Sequence, residues 1–369
     1  AQTVSAPTVQ TLGEGLTKAE TSALNPSNRY LLVVPANQRP PITREALVNV
    51  NVSVNPNGKV RNVDVLDGSF TDTAINRLVE NAVEDITFSP ATQGGNPVRY
   101  DNLPLQVLLR GSNPPSTTAA LGEGLGKLAE QVQGADYRGA ERQVDTLLSR
   151  NSRTLFEMAL LKDQLAGVYS NANRNPEALA ASRIATARSP AVKAADAPAE
   201  AIFPDSFLPP EMYMDALRRH LVLAILTNQN GETLQVFDRL KEAAAAAGNA
   251  EVVDTIQPQI DQLQARLAAA DPIGIAVNLV DNGAWTYTMS PRRSYGVMAL
   301  DADNNGSIDD KETKAVNVQT IDISCGDSGT RRLPFQNDSE WSIPASWGQC
   351  DMTFRGKEGS QFLLIEYAN

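Results

Sequence analysis

No apolar run in this 369-residue chain is long enough to span a bilayer as a helix. Positive charge is also scarce: 32 Lys and Arg stand against 43 Asp and Glu, giving a net charge of −11. Phosphate backbones and anionic lipid both need a basic surface, so neither is an expected partner. The single histidine, His220, sits beside Arg218 and Arg219 in a helical stretch. With only two cysteines, both distant from it, it makes no zinc site. The Walker loop, G-x-G-x-x-G and G-x-S-x-G are all missing. No pair of acids stands in an apolar setting that would tune one of them for acid–base work. These absences favour a protein that binds over one that turns over a substrate.

Hydrophobic content of 42% and charged content of 20% describe a folded chain, and its length suits two or three domains. Cys325 and Cys350 lie close in sequence and suit a disulfide formed in an oxidising compartment. The first residues, Ala1-Gln2-Thr3, read as the end left by signal peptidase, although a cut made elsewhere in a longer chain reads the same way. The expected location is the periplasm of a Gram-negative bacterium, with outer-membrane association left open.

Residues 1–28 are polar and read as an arm, or a short helix with a linker. A short strand is expected over 30–34, closed by Pro35. Val48, Val50, Val52 and Val54 then alternate with Asn49, Asn51 and Ser53, which places the valines on one face of a strand. Asn55-Pro56-Asn57-Gly58 supplies a turn, and Val60, Val63 and Val65 the return strand. A helix capped by Thr71 or Asp72 follows, with Ile75, Leu78, Val79, Ala82, Val83 and Ile86 on one stripe. After it comes Phe88-Ser89-Pro90-Ala91-Thr92-Gln93-Gly94-Gly95-Asn96-Pro97-Val98. A last strand carries Val98, Tyr100, Leu103, Leu105, Val107 and Leu109.

This β-β-α-β order, Gly58-Lys59-Val60 after the turn and the F-x-P-A-x-x-x-G-x-P-V segment resemble the C-terminal domain of TonB over about residues 42–110. In that family these residues build the fold. The resemblance implies that Phe88 fills the core, that Pro90 stops the helix, and that partners add a strand to a sheet edge. The edge expected here carries Leu103, Leu105, Val107 and Leu109, with the strand over Tyr30 to Val34 as the alternative occupant of one sheet edge. The membrane anchor and Pro-rich spacer of a TonB are missing from the sequence, so a force transducer is not expected.

A linker over 111–116 leads into helices expected near 117–133, 136–150, 153–171, 176–188, 210–228, 232–247 and 249–269. Leu165, Ala166, Tyr169, Ala178, Ala185 and Pro190 resemble a tetratricopeptide repeat, with Ser182 standing where that repeat is usually aromatic. Stacked pairs of this kind make a concave binding surface; a plain helical spacer is the other reading.

From Ile273 the composition turns to strand, with Trp285, Tyr287 and Met289 alternating and Leu363, Ile365 and Tyr367 near the end. A β-sandwich closed by Cys325 and Cys350 is expected. Within it, Asp301, Asp303, Asn305, Ser307, Asp309 and Glu312 fit an EF-hand calcium loop, with Gly306 at the sharp turn. The flanks read as strands, so a β-hairpin with solvated acids is the alternative. Gly326-Asp327-Ser328-Gly329 spells a serine-protease nucleophile motif, but the surrounding residues depart from that family and read as a loop.

The expected architecture is multi-domain α+β: an arm (1–28), a TonB-like ββαβ domain (29–111), a tetratricopeptide-like helical domain (117–270) and a disulfide-closed β-sandwich (272–369). The expected function is a non-enzymatic periplasmic adaptor for a TonB-dependent outer-membrane transporter or another envelope protein. A glycan-binding module using Trp285, Trp341 and Trp347, and an enzyme with a site between domains, are the alternatives. Calcium is the one cofactor the sequence suggests.

Overall fold

The computed structural model describes residues 4–5, 7–12, 16–18, 29–32, 45–65, 73–109, 119–150, 154–188, 206–249, 251–279, 283–299, 318–325 and 329–368. The fold is mixed α and β, with eight α-helices among the described residues. The chain divides into two compact units. One holds Ala1–Arg174 and Ala180–Ala216, the other Asn175–Leu179 and Leu217–Asn369.

In the first unit, short strands β1 (Val4–Ser5), β2 (Val9–Thr11), β3 (Leu16–Lys18) and β4 (Arg29–Leu32) precede β5 (Ala46–Val54) and β6 (Val60–Val65). Helix α1 (Thr73–Glu84), β7 (Thr87–Phe88), β8 (Ala91–Gln93), β9 (Asn96–Val98) and β10 (Tyr100–Leu109) follow. The main sheet has the order β3-β4-β10-β5-β6. The valine alternation is realised: Val48, Val50, Val52 and Val54 are buried with Leu103, Leu105, Val107 and Leu109, and with Ile75, Val79 and Val83 of α1. The hairpin turn depends on Gly58 at φ +80°, whose carbonyl accepts the Phe88 N–H at 2.7 Å. The expected helix caps, Thr71 and Asp72, lie outside the described residues.

Phe88 fills the core as expected, but Pro90 does not stop the helix. Helix α1 already ends at Glu84, and Pro90 follows β7. The motif instead builds a small hairpin, β8 paired to β9 across Gly94 and Gly95, both at positive φ. The N-terminal arm is stranded: β1 pairs with β8 and β2 with β7.

The helices follow the sequence pattern closely: α2 (Ala119–Gln133), α3 (Tyr137–Arg150), α4 (Leu155–Asn171), α5 (Asn175–Ala185), α6 (Pro210–Leu226), α7 (Asn230–Ala246) and α8 (Glu251–Ala268). Leu121 and Leu128 of α2, Val144 and Leu147 of α3, and Leu161 and Leu165 of α4 share one core. Thr154 and Glu157 form a capping box at the start of α4. A second carboxylate reaches the same helix end, because Glu45, just before β5, accepts the Leu155 N–H at 2.8 Å. The partial positive charge of a helix N-terminus favours both.

The second unit holds the end of α6, α7, α8 and a two-sheet sandwich. Its strands are β11 (Ile273–Asn278), β12 (Ala284–Thr288), β13 (Ser294–Ala299), β14 (Val318–Cys325), β15 (Gly329–Pro334), β16 (Glu340–Ser342), β17 (Cys350–Gly356) and β18 (Gln361–Tyr367). One sheet runs β11-β18-β13-β16 and the other β12-β17-β14-β15. Tyr287, Tyr295, Ile321, Met352, Phe354, Phe362 and Leu364 meet between them. Cys325 and Cys350 are directly opposed in β14 and β17 and form the disulfide.

On the opposite face of β14 from Ile321 and Ile323, Asp322 accepts Nε (2.7 Å) and Nη2 (2.9 Å) of Arg332, and Nε of Arg355 (3.2 Å). Burial alone would raise the Asp322 pKa, but the two guanidiniums outweigh it and hold the carboxyl below its ordinary value.

Two stability predictions follow from this geometry. The disulfide closes 25 residues, so replacing both cysteines with Ser is expected to cost about 3.5 kcal/mol on the chain-entropy estimate, read by urea denaturation. A depressed carboxyl stabilises the fold above its unfolded pKa, and that contribution is lost as pH falls through the folded value. Asp322→Asn is therefore expected to be less stable than the natural chain at neutral pH. The gap should close as pH drops below about 4, and narrow in high salt because Arg332 is largely exposed.

Candidate functional site

In the second unit the strand pattern carries one acid into the core. Phe362, Leu364 and Glu366 alternate on the buried face of β18, and Glu366 is fully buried. Its Oε1 accepts hydrogen bonds from Tyr287 Oη and Ser290 Oγ, each 2.6 Å away. Its Oε2 accepts from Asn230 Nδ2, on the first turn of α7, at 2.8 Å. Asn230 Oδ1 in turn accepts from Arg266 Nη2 of α8 at 2.6 Å. Burial, and then the charge of Glu366, raise the Tyr287 pKa well above its ordinary value, so the phenol stays a donor. The Tyr295 phenol is pushed up by the same two causes in the same order.

Arg292 completes the joint. All five of its N–H donors meet backbone carbonyls: Arg266, Leu267, Ala269 and Asp271 at the end of α8, and Glu366 itself. Carbonyls that a helix C-terminus leaves unpaired are satisfied this way, and the guanidinium favours the negative end of the helix. Gly231 makes the close approach possible, because a Cβ there would strike the Thr288 and Met289 carbonyl oxygens. Helix α7 therefore starts directly against the sandwich backbone.

His220 of α6 is buried. Its Nε2 lies 2.7 Å from Glu232 Oε1, both side chains are buried, and the pair ties α6 to α7. Glu366 is sealed from solvent too, and the joint holds α7 against the sandwich.

Part of the exposed surface of α6 is apolar. A groove of about 500 Å³ runs between α6 and α8. It is lined by Leu221, Val222 and Ile225 of α6, by Val252 and Ile256 of α8, and by as many polar residues, among them Arg218 and Glu251. Val222 and Leu226 are each more than half exposed (55% and 57%) and Ile225 is also exposed. These positions repeat at three and four residues along α6, which is one helix face.

The residues singled out in the sequence are placed as follows. Leu103, Leu105, Val107 and Leu109 do share a strand, but their side chains are buried against α1. β10 is an interior strand over Gln106 to Leu109, because β4 pairs with it on the side away from β5. The expected free edge is therefore occupied there. Cys325 and Cys350 are bonded and buried. Asp301, Asp303, Asn305, Ser307, Asp309 and Glu312 lie outside the described residues, as do Gly326, Asp327 and Ser328. Among the described residues no group of three or more His, Cys, Asp or Glu is placed to hold a metal. Each tryptophan has a face engaged: Trp285 stacks on Tyr287, Trp341 on Tyr295, and Trp347 lies 3.8 Å under the Arg331 guanidinium.

The Glu366 joint was missed in the sequence because β18 is apolar on both faces, which hides the buried set. The Asn230-Gly231 pair at a helix start was the one available signal. Among the described residues no helix is long and apolar enough to cross a membrane. Comparison with known protein families and with curated proteins gives no match.

Glu366→Gln keeps the shape but turns an NH2 toward groups that already donate. It is expected to cost about 3 kcal/mol, the scale for breaking a buried charged network. Chemical denaturation followed by the fluorescence of the three tryptophans, all in the sandwich, reads this directly.

Proposed function

We propose that this chain is a non-enzymatic adaptor of the bacterial periplasm that binds envelope proteins, foremost a TonB-dependent outer-membrane transporter. The observation that carries the reading is the uncovered apolar face of α6, Val222, Ile225 and Leu226, beside an open groove. Contiguous exposed apolar surface on a folded chain marks an interaction site. Two parallel ridges of helical side chains suit a partner helix or peptide laid between them.

The transporter as partner is supported by the TonB resemblance of residues 42–110. Among the described residues the outermost strands of the main sheet are β3 and β6. An unpaired strand edge takes up an extended segment through backbone hydrogen bonds. The buried disulfide suits an oxidising compartment. The acidic segment 301–312 belongs to the same reading as a structural calcium site.

The test is a cross-linked pull-down from solubilised envelopes with the tagged full chain. A TonB-dependent transporter should be enriched, and at least about fivefold less of it should come down with the double variant Val222→Asp, Leu226→Asp. Enrichment that is unchanged in that variant removes the groove from the reading. Enrichment of wall fragments with no transporter overturns the adaptor.

A further inference from the structure

Asparagine followed by glycine is among the least durable pairs in a protein chain, because no glycine side chain hinders its N–H from reaching the asparagine amide. Four such pairs occur here: Asn57-Gly58, Asn230-Gly231, Asn282-Gly283 and Asn305-Gly306. Asn282 and Asn305 lie outside the described residues. The other two are the same dipeptide in opposite surroundings.

Asn230 is held at both ends of its amide. Its Nδ2 donates to Glu366 Oε2 at 2.8 Å, its Oδ1 accepts from Arg266 Nη2 at 2.6 Å, and the residue is buried. Turning that amide toward Gly231 N would break both bonds and leave Glu366 short of a donor.

Asn57 is exposed, in the turn between β5 and β6. Its Oδ1 accepts the Lys59 N–H at 3.2 Å. That donor favours reaction, since it points at the oxygen where negative charge gathers when the amide carbon is attacked. The Gly58 N–H donates to Asn55 O at 2.9 Å. Attack needs this bond to open, and a surface turn opens far more often than a buried helix start.

We propose that Asn57 is a site of spontaneous covalent modification and that Asn230 is protected from it. Gly58 N bonds to Asn57 Cγ, the Cγ–Nδ2 bond breaks, and the amide nitrogen leaves as ammonia with the proton from Gly58 N. Water then opens the five-membered imide at either carbonyl. One product is aspartate. The other is isoaspartate, in which the main chain runs through Cγ and is one carbon longer. Either product adds a negative charge to the turn.

The position of Gly58 carries the change into the fold. Gly58 sits at φ +80° with its carbonyl accepting the Phe88 N–H at 2.7 Å, so close that a Cβ there would strike the Phe88 carbonyl oxygen. A longer main chain just before Gly58 moves that acceptor and loosens the hairpin from β7.

Two measurements on the full chain decide the matter. After incubation at mildly alkaline pH, the tryptic peptides 45–59 and 220–239 are read by mass spectrometry, with fragmentation that separates aspartate from isoaspartate. Asn57 should convert at least about tenfold faster than Asn230, which reacts only when α7 opens. Equal rates overturn the proposal, and so does an unchanged Asn57 in native protein whose urea-denatured half converts. For the second measurement, the modified fraction is separated by its added charge and compared with Asn57→Gln taken through the same incubation. The longer glutamine side chain closes its ring far more slowly, so that variant keeps the turn. The Phe88 N–H should exchange about tenfold faster in the modified fraction, the scale of one lost hydrogen bond. Equal protection of Phe88 in the two overturns the loosening of the hairpin.

Discussion

A carboxylate inside a protein must have its oxygens hydrogen-bonded, and Glu366 meets that requirement with groups from three places. Tyr287 comes from β12, Ser290 from the segment after it, and Asn230 from the start of α7. Leaving such a group partly unpaired costs several kcal/mol, so these elements are not free to separate. Arg292 adds the same constraint at the other end of the helical pair, using four of its N–H groups on carbonyls at and just beyond the end of α8 and the fifth on the Glu366 carbonyl. The helices α7 and α8 are thus fixed to the sandwich by polar geometry at both ends, while apolar packing fills the space between its sheets.

The first unit uses a related device on a smaller scale. There Glu45, at the mouth of β5, accepts from the N-terminus of α4, beside the helix's own capping box. Both joints place a carboxylate from the β part at the positive end of a helix. On the outward side of α6 and α8 lies the groove of mixed lining, with Val222 and Ile225 exposed beside Arg218 and Glu251. The proposed binding role needs this combination: apolar side chains left in water, held on elements that do not collapse to hide them.

Local pattern in the sequence was sufficient for most elements. The valines of β5, the stripe of α1 and the helix spans all follow from periodicity, because each buries one face against a single neighbour. Pairing between distant segments was not legible. The strand over 30–34 was a visible candidate to cover an edge, but nothing in Leu103 to Leu109 reports that theirs is the edge it takes. The motif proline read as a helix stop because proline usually is one, whereas the chain had already turned at Asp85 and Ile86. Glu366 was hidden for a different reason. With Leu363, Ile365 and Tyr367 on one face and Phe362 and Leu364 on the other, the strand offers two apolar sets, and alternation alone does not choose between them. Arg292 sits in a loop beside a second arginine, and only the folded chain shows which of the two is buried.

The central claim is that α7, α8 and the sandwich open as one cooperative unit because Glu366 and Arg292 bind them together. Native-state hydrogen exchange in rising denaturant tests it most directly. The account predicts that the slowest amides of residues 230–268 and of residues 361–367 converge on one opening free energy and one denaturant dependence. Helices that open at lower denaturant while β18 keeps its protection would contradict it.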